Sequence, residues 1–409
     1  MKLYITILPN LIIILISIIF HGCQKERKYL NNPCLDQRRN AIYSMAIDTI
    51  SISVNDSMPT VYDKVQIAKD KYLIGRSKKN YRLDIYDLEV GKFIKSIIID
   101  KNFVPNMVSF YVYTMDSIFV AQDPYTISLV NSSGNVINKW VLDNAPINWK
   151  LDEIINTPLY YFDTDRENIN FFDPKTGNIH LTLTNTDIYY FSDREKFKLH
   201  NTFNIHTKKW GIPFGKIEAA YSGDSEREKQ YLPFQSHPFC VVLGDSSFVS
   251  YPMSHKVSIY NNKTGLLLNE NCVSSKYIEK LPPPIDYETN PQTERNFFVS
   301  TSLYGSLNYH NKLGVFSRIA LHEQPEKLPS GKLNSHLNKT VSVILFNKKL
   351  EKLDEFILDR ESQLSSFGDP QSLFVSYPTS NGFIGALKER VVTSESEFRH
   401  SIRFKFLKK

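Results

Sequence analysis

The stretch from Phe239 to Val273 constrains the fold of this chain more than any other part of the sequence. It predicts four short strands in 35 residues, with the bounds Phe239–Leu243, Ser247–Tyr251, Lys256–Tyr260 and Leu266–Cys272. Polar turns join the strands, and Val257 and Ile259 alternate with polar residues in the third. Four consecutive antiparallel strands of this length form one blade of a β-propeller.

Related patterns recur along the chain. An apolar strand ending in Asp or Asn, then a short turn and another strand, occurs at Asp87, Asn131, Asp173, Asn261 and Asn347. The separations are 44, 42, 88 and 86 residues, so the first two are blade-sized and the last two are twice as long. Asp and Asn suit the turn of a hairpin between the two outer strands of a blade.

The long intervals differ in content. Between Asp173 and Asn261, a further blade has candidate strands at Asp187–Phe191, Lys196–Phe203 and Asn204–Thr207. After Asn261, two Pro-containing polar stretches, Lys276–Glu294 and Glu323–Leu337, predict long loops, and Phe297–Ser302 predicts the first strand of a later blade. The sum is seven blades, with six as the alternative if the further blade is not real. Alternating strands also permit a pair of β-sandwiches.

The chain ends complement each other. The last blade has strands at Leu373–Tyr377, Phe383–Leu387 and Ser401–Leu407 but lacks a fourth, and Ala46–Val54 is an unassigned strand. Propellers avoid an exposed edge when an N-terminal strand completes the last blade. We therefore predict an all-β protein with a single propeller over residues 42–409, closed by an N-terminal strand.

The first 22 residues have the features of a secretory signal peptide. Lys2 precedes an apolar core, Leu3–Phe20, which Pro9 interrupts and which is shorter than the ~20 residues of a membrane-spanning helix. The following Gly22-Cys23 resembles the lipobox of bacterial lipoproteins. The resemblance implies cleavage before Cys23, lipid attachment at Cys23 and a polar tether over residues 23–41. An ordinary signal peptide with a coincidental Cys is the alternative.

Three cysteines remain, Cys34, Cys240 and Cys272, so at least one thiol is unpaired within the chain. Cys240 lies on the predicted innermost strand of its blade and Cys272 on the outermost. Three inter-strand steps of ~4.8 Å place them about 14 Å apart, whereas a disulfide requires Cα atoms within ~7 Å. We therefore predict that Cys240 and Cys272 are small packing residues, and the state of Cys34 stays open.

Charge and motifs exclude several classes of function. The net charge of +6 comes without a long run of Lys or Arg, which argues against nucleic-acid binding. The chain has no GxSxG, HExxH, GxxxxGK[ST] or GxGxxG motif. A calcium loop beginning at Asp163 would need Gly and an acid where Asn168 and Pro174 stand. We therefore predict no metal and no cofactor.

Four side chains are candidates for ligand binding. Trp210 stands beside Gly211 in a predicted loop, and exposed aromatic rings in such loops stack on sugars or peptides. Tyr304, Tyr309 and Arg318 are the others. The alternative for all four is packing between blades. A site is expected at one end of the central channel, where the loops meet.

The lipobox-like leader, the Asp-Ser-x-Phe-Val turns at Asp116 and Asp245, and the stretch Phe297–Arg318 resemble a group of Bacteroidetes-type lipoproteins with β-propeller folds and unknown functions. The resemblance implies a lipid-anchored protein of the cell envelope. Gln24 after Cys23 favours anchoring in the outer membrane. The sequence leaves open whether the protein lies on the periplasmic or the surface side. We predict a membrane-anchored binding or scaffold module for a ligand, glycan, peptide or protein partner. The lack of catalytic motifs argues against an enzyme, and the alternative is a glycan-active hydrolase or lyase at the channel mouth.

Overall fold

The computed structural model of the protein describes part of the chain. The described residues are 30–35, 42–53, 62, 64–77, 81–122, 126–142, 169–183, 198–216, 229–230, 238–282, 285–286, 291–334, 339–358, 376–385, 390–392 and 397–409. The predicted signal peptide and Cys23 lie outside them. Among the described residues, no helix is both long enough and apolar enough to cross a bilayer.

The described strands form a six-bladed β-propeller. Blade 1 contains β3–β6, which are Lys64–Ala68, Tyr72–Ser77, Arg82–Asp87 and Lys92–Ile98. Blade 2 contains β7–β10, which are Met107–Thr114, Ser117–Gln122, Thr126–Val130 and Val136–Val141. Blade 3 contains β11–β15, which are Ile169–Asp173, Asn178–Thr182, Lys198–Asn204, Lys209–Trp210 and Phe214–Lys216.

The second half of the ring has the same plan. Blade 4 contains β17–β20, which are Phe239–Leu243, Ser246–Ser250, Lys256–Asn261 and Leu267–Cys272. Blade 5 contains β23–β26, which are Leu303–His310, Val315–Leu321, Val341–Phe346 and Lys352–Leu358. Blade 6 contains β27–β30 and β2, which are Tyr377–Thr379, Gly382–Ile384, Arg390–Val392, Glu397–Lys408 and Tyr43–Ser53.

The remaining elements are small. Two-residue pairs join β1 (Leu30–Asn31) to β21 (Lys280–Leu281) and β16 (Lys229–Gln230) to β22 (Ile285–Asp286), and the helix α1 is Pro291–Ser300.

The six blades surround one axis. The first strand of each blade contacts the first strand of the next, and the first strand of blade 6 contacts that of blade 1. The two ends of the propeller differ. In blades 1 to 5, the turns after the first and third strands lie at one end, here called the turn end. The second and last strands of these blades end at the opposite end, here called the loop end, where residues 273–282 also lie.

The N-terminal strand β2 pairs with β30 along all 11 of its residues, from Tyr43 opposite Lys408 to Ser53 opposite Phe398. Asp48 lies near the middle of this ladder and accepts hydrogen bonds from Arg403 at 2.6 Å and Lys405 at 3.0 Å. Residues 46–53 of the strand that the sequence leaves unassigned therefore lie beside the predicted last strand, 401–407.

The described residues form six blades and not the seven that the spacing favours. Lys198–Asn204 belongs to the same sheet as Ile169–Asp173, because it pairs with Asn178–Thr182. The predicted strand Asp187–Phe191 lies outside the described residues. Asp173 begins the inner hairpin of blade 3, and Asn204 begins the outer one, so the interval of 88 residues compared unlike positions.

Two further sequence predictions are wrong. Phe297–Ser302 is not a strand, because Pro291–Ser300 is helical and begins with a proline, which suits the first helical turn. Cys272 is not a simple packing residue. It lies on the fourth strand of blade 4, as predicted, but it forms a disulfide with Cys34 at a Cα–Cα distance of 6.1 Å. Cys240, on the first strand, is a free thiol.

Candidate functional site

A cleft of about 280 Å³ lies at the turn end between blades 3 and 4. Blade 3 contributes the turns that follow β11 and β13, and blade 4 contributes the turns that follow β17 and β19. The lining side chains are mostly amides, hydroxyls and charged groups, and they include Trp210, His180, Asn262 and Lys263. The site therefore opens at the turn end, at the seam between two neighbouring blades.

Blade 3 has one apolar and one polar face, which explains why the cleft forms here. Side chains alternate between the faces of a strand, and the register places His180 opposite Thr202 and Asn178 opposite Asn204. The other face packs on blade 2, where the rings of Phe119 and Phe172 lie 4.6 Å apart. The polar face lines the cleft against blade 4. Polar residues are also buried between other blades, so what distinguishes this face is that it lines a cleft and leaves His180 Nδ1 without a hydrogen-bond partner among the described residues.

Trp210 stands at the outer edge of the cleft on the short strand β14. Its ring is half-buried and packs edge-on against Phe203, with ring centroids 5.3 Å apart. Gly211 follows, and its backbone nitrogen donates to the Thr202 carbonyl at 2.8 Å. A Cβ at position 211 would lie 2.1 Å from Thr202 Oγ1. Glycine is therefore needed for β14 to approach the polar face, whereas the side chain of Trp210 lies on the opposite face with Phe203.

The imidazole of His180 is neutral near neutral pH. Burial lowers the pKa of His180 to about 4, although the nearby Asp173 opposes the shift. His180 is 6% exposed, and its Nδ1 has no hydrogen-bond partner among the described residues. A buried ring nitrogen without a partner is costly, and it lies beside a cleft that can admit a ligand.

Both carboxylates in the cleft already have local partners. Asp173 accepts hydrogen bonds from Thr176 Oγ1 at 2.7 Å and from the Lys175 nitrogen at 3.0 Å. Burial raises the pKa of Asp173, but these hydrogen bonds outweigh it and hold the pKa below its usual range. Asp245 pairs with Lys263 at 2.8 Å on the exposed rim. A glycosidase acid instead needs a raised pKa.

Tyr304 and Arg318 contact each other in the interface between blades 4 and 5, where both are fully buried. The Arg318 guanidinium lies 3.7 Å from the Tyr304 ring centroid. It donates to the carbonyls of Ser254 at 2.6 Å, Val273 at 2.8 Å and Tyr251 at 3.0 Å. These groups hold the backbone of blade 4 against blade 5 and do not line the cleft.

Tyr309 also lies outside the cleft. Its half-buried ring packs on Phe316 with centroids 4.8 Å apart, and Lys348 Nζ lies 5.5 Å from it. Of the four residues selected from the sequence, Trp210 is the one that borders the cleft, with its ring turned towards Phe203. The sequence analysis missed His180, Asn178 and Thr202. The alternation in Asn178–Thr182 carried the signal, since polar residues there occupy every second position.

A second polar cluster joins blades 4 and 5. Glu355 accepts hydrogen bonds from Ser275 Oγ at 2.5 Å, Lys352 Nζ at 2.9 Å and Ser342 Oγ at 3.0 Å. His322 Nε2 lies 2.9 Å from Ser342 Oγ. All five side chains are buried. The cluster satisfies its own polar groups, and we interpret it as an inter-blade lock. Among the described residues, no group of three or more His, Cys, Asp or Glu is arranged to hold a metal ion.

The inter-blade lock predicts acid sensitivity. Burial raises the pKa of Glu355, but Lys352 and the hydrogen bond from Ser275 outweigh it, so the folded-state pKa lies below the usual range. A depressed pKa contributes stability above the unfolded value of ~4.3, and this is lost as the pH falls through the folded-state pKa. Urea unfolding measured between about pH 7 and pH 3 should show a shallower decline for Glu355→Gln than for the wild type. Equal slopes would contradict the assignment.

Comparison with known proteins gives the fold. No protein-family model matches the sequence, and no curated protein matches it. A solved member of the DUF4221 family from Bacteroides vulgatus shares 15% identity, with 91% of this chain and 100% of that chain covered and a TM-score of 0.59.

Two further Bacteroides structures are more distant. A candidate exported protein of Bacteroides fragilis shares 9% identity, with 91% and 97% covered and a TM-score of 0.48. A Bacteroides caccae protein of unknown function shares 12% identity, with 71% and 81% covered and a TM-score of 0.37. At these identities the likeness to the Bacteroides vulgatus protein is one of fold, a β-propeller shared across nearly the whole chain.

Proposed function

We propose that this protein is a lipid-anchored binding module of the cell envelope, which holds a neutral, hydroxyl-rich ligand such as a glycan segment in the cleft between blades 3 and 4. The observation that carries the proposal is the polar blade face in the cleft, where His180 Nδ1 has no hydrogen-bond partner among the described residues. Sugars present many hydroxyls, and the amides, hydroxyls and imidazole of this lining are hydrogen-bonding groups that match them.

Electrostatics supports a neutral ligand. His180 is uncharged near neutral pH, and its unpartnered Nδ1 is a hydrogen-bonding group that a hydroxyl can satisfy. Lys263 is paired with Asp245 on the rim. The lining thus offers directional hydrogen bonds and little unbalanced charge, which favours a glycan over a nucleotide or an acidic peptide.

Binding is favoured over hydrolysis. Asp173 is held ionised by its own turn, and Asp245 is an exposed partner of Lys263. A hydrolase at this cleft would require one of them to act as a proton donor near neutral pH. The anchor at Cys23, the outer-membrane location and closure of the ring by Tyr43–Ser53 are parts of the same proposal. Closure is supported by the ladder between β2 and β30.

The test is ligand retention by the detergent-solubilised full chain on a panel of glycans and cell-envelope polysaccharides. Replacing His180 by Ala should weaken binding roughly tenfold, because loss of a hydrogen bond in a buried site costs about 1 kcal/mol or more. His180→Asn keeps a hydrogen-bonding side chain and should retain part of the affinity. Tyr309→Ala is the control, since it removes a half-buried ring of the turn end outside the cleft. No retention on any member of the panel, or equal losses for both alanine variants, would contradict the proposal.

A further inference from the structure

The segment 30–35 is fixed to the loop end of blade 4. Leu30 pairs with Leu281, and Asn32 Nδ2 donates to the carbonyls of Ile278 at 2.7 Å and Ser275 at 3.1 Å. The disulfide from Cys34 to Cys272 completes the attachment. We call residues 30–35 with this disulfide the staple. The sequence places residues 30–35 inside a free tether, whereas the structure holds them against the propeller.

The staple and the cleft lie at opposite ends of the propeller. Cys272 ends the fourth strand of blade 4, which runs from the turn end to the loop end. Asp245 and Lys263, on the rim of the cleft, stand in the two turns at the other end of the same blade. Strands of five or six residues span roughly 17–20 Å. The two features are therefore separated by the full height of the blade.

The chain between the predicted lipid site and the staple is short. Cys23 precedes Leu30 by seven residues, which reach at most ~25 Å when fully extended. Lys25, Arg27 and Lys28 lie in this interval with one acid, Glu26. Basic residues next to a lipid anchor favour anionic membrane surfaces.

The surface beside the staple suits a bilayer. Lys276 and Lys280 are exposed, and the Lys276 ammonium lies 4.2 Å from the centroid of the Tyr277 ring. Tyr277 and Leu35 are each 38% exposed. Tyrosine and lysine side chains place an apolar body beside a polar tip and are favoured at the membrane interface.

We infer that the loop end around the staple faces an anionic bilayer surface and that the cleft faces away from it. This inference rests on the anchor at Cys23 in the proposed function. It adds an orientation that neither the anchor nor the cleft implies alone, because a tether of 19 residues would let the propeller turn freely. The staple shortens that tether and selects one end. The ligand would then be captured from the side opposite the anchoring membrane.

The experiment compares two labels on the same blade in the full-length, lipidated protein. Lys332→Cys places a donor dye at the loop end of blade 5, and Lys349→Cys places it at the turn end of that blade. Both positions are exposed and lie outside the cleft and the staple. The protein is bound to vesicles of phosphatidylethanolamine and phosphatidylglycerol that carry an acceptor dye on the headgroups. Energy transfer should be several-fold greater from position 332 than from position 349.

Each result decides a separate point. Equal transfer from the two labels, or greater transfer from position 349, would overturn the orientation. Vesicle binding that survives Cys23→Ala would overturn the anchor, independently of the orientation. In the double variant Cys34→Ser with Cys272→Ser, the difference between the labels should shrink, because the tether is then free to lengthen. If that variant does not fold, the comparison of the two labels in the stapled protein still decides the orientation.

Discussion

Replacing both Cys34 and Cys272 by serine is expected to lower the free energy of unfolding by roughly 2–5 kcal/mol. The disulfide joins residues 238 positions apart, so in the unfolded chain it closes a loop that includes blades 1 to 3 and most of blade 4. The entropic stabilisation grows with the logarithm of loop length, and this loop lies near the upper end of the scale. The measurement is chemical denaturation of the oxidised protein with and without the bond.

The matched control is Cys240→Ser, which changes a cysteine of the same blade that has no disulfide partner. Burial raises the pKa of the Cys240 thiol to about 12. We expect Cys240→Ser to lower the free energy of unfolding by less than the double variant does. A double variant as stable as the wild type would show that the disulfide does not stabilise the folded protein.

The bond also explains why cysteine counting alone could not predict the pairing. The distance argument correctly excluded Cys240 with Cys272, because they lie on the first and fourth strands of blade 4. The same argument could not predict the pairing of Cys34 with Cys272, since nothing in the polar sequence around Cys34 indicates that this segment contacts blade 4. The contacts that bring it there are mostly made by backbone and by Asn32, and backbone pairing between two-residue strands has no side-chain signature.

Blade 4 could be read from the sequence within a residue at each strand, whereas blade 3 could not. In blade 4 every turn is short and polar, so the alternation of apolar residues fixes the bounds. In blade 3, Asp173 and Asn204 each accept hydrogen bonds from the backbone of the turn that they begin. The same side-chain chemistry therefore serves both an inner and an outer hairpin. Turn residues identify a hairpin, but its place in the blade depends on the neighbouring sheets.

The residues of the candidate site could also be predicted from the sequence only in part. Trp210 could be selected from its position beside Gly211, and it lines the cleft. Tyr304 and Arg318 were selected for the same chemistry, and the structure places them in contact inside the protein. An aromatic ring and a guanidinium form as good an inter-blade contact as a ligand contact. The polar face of blade 3 was the better signal, because its side chains Asn178, His180 and Thr202 line the cleft.

Replacing Arg318 by Ala is expected to destabilise the propeller by roughly 3–5 kcal/mol, as in other cases where a buried, hydrogen-bonded charge is truncated. The guanidinium serves three carbonyls of blade 4 from a strand of blade 5. Without it, these acceptors lose their donor in a buried interface, and the ring of Tyr304 loses the cation above it. Arg318→Lys keeps the charge but lacks the planar fork that reaches several acceptors at once, so it should fall between the wild type and the alanine variant.

The two roles considered for Arg318 are separable because the lysine variant should remain folded. If Arg318 holds blades 4 and 5 together, Arg318→Lys lowers the unfolding free energy while glycan retention is unchanged. If Arg318 instead contacts a ligand, retention falls while stability does not. Urea unfolding and retention measured on the same preparation distinguish these outcomes. Since the guanidinium is fully buried, bonds carbonyls at the loop end of blade 4 and is absent from the lining of the cleft at the turn end, we expect the first result.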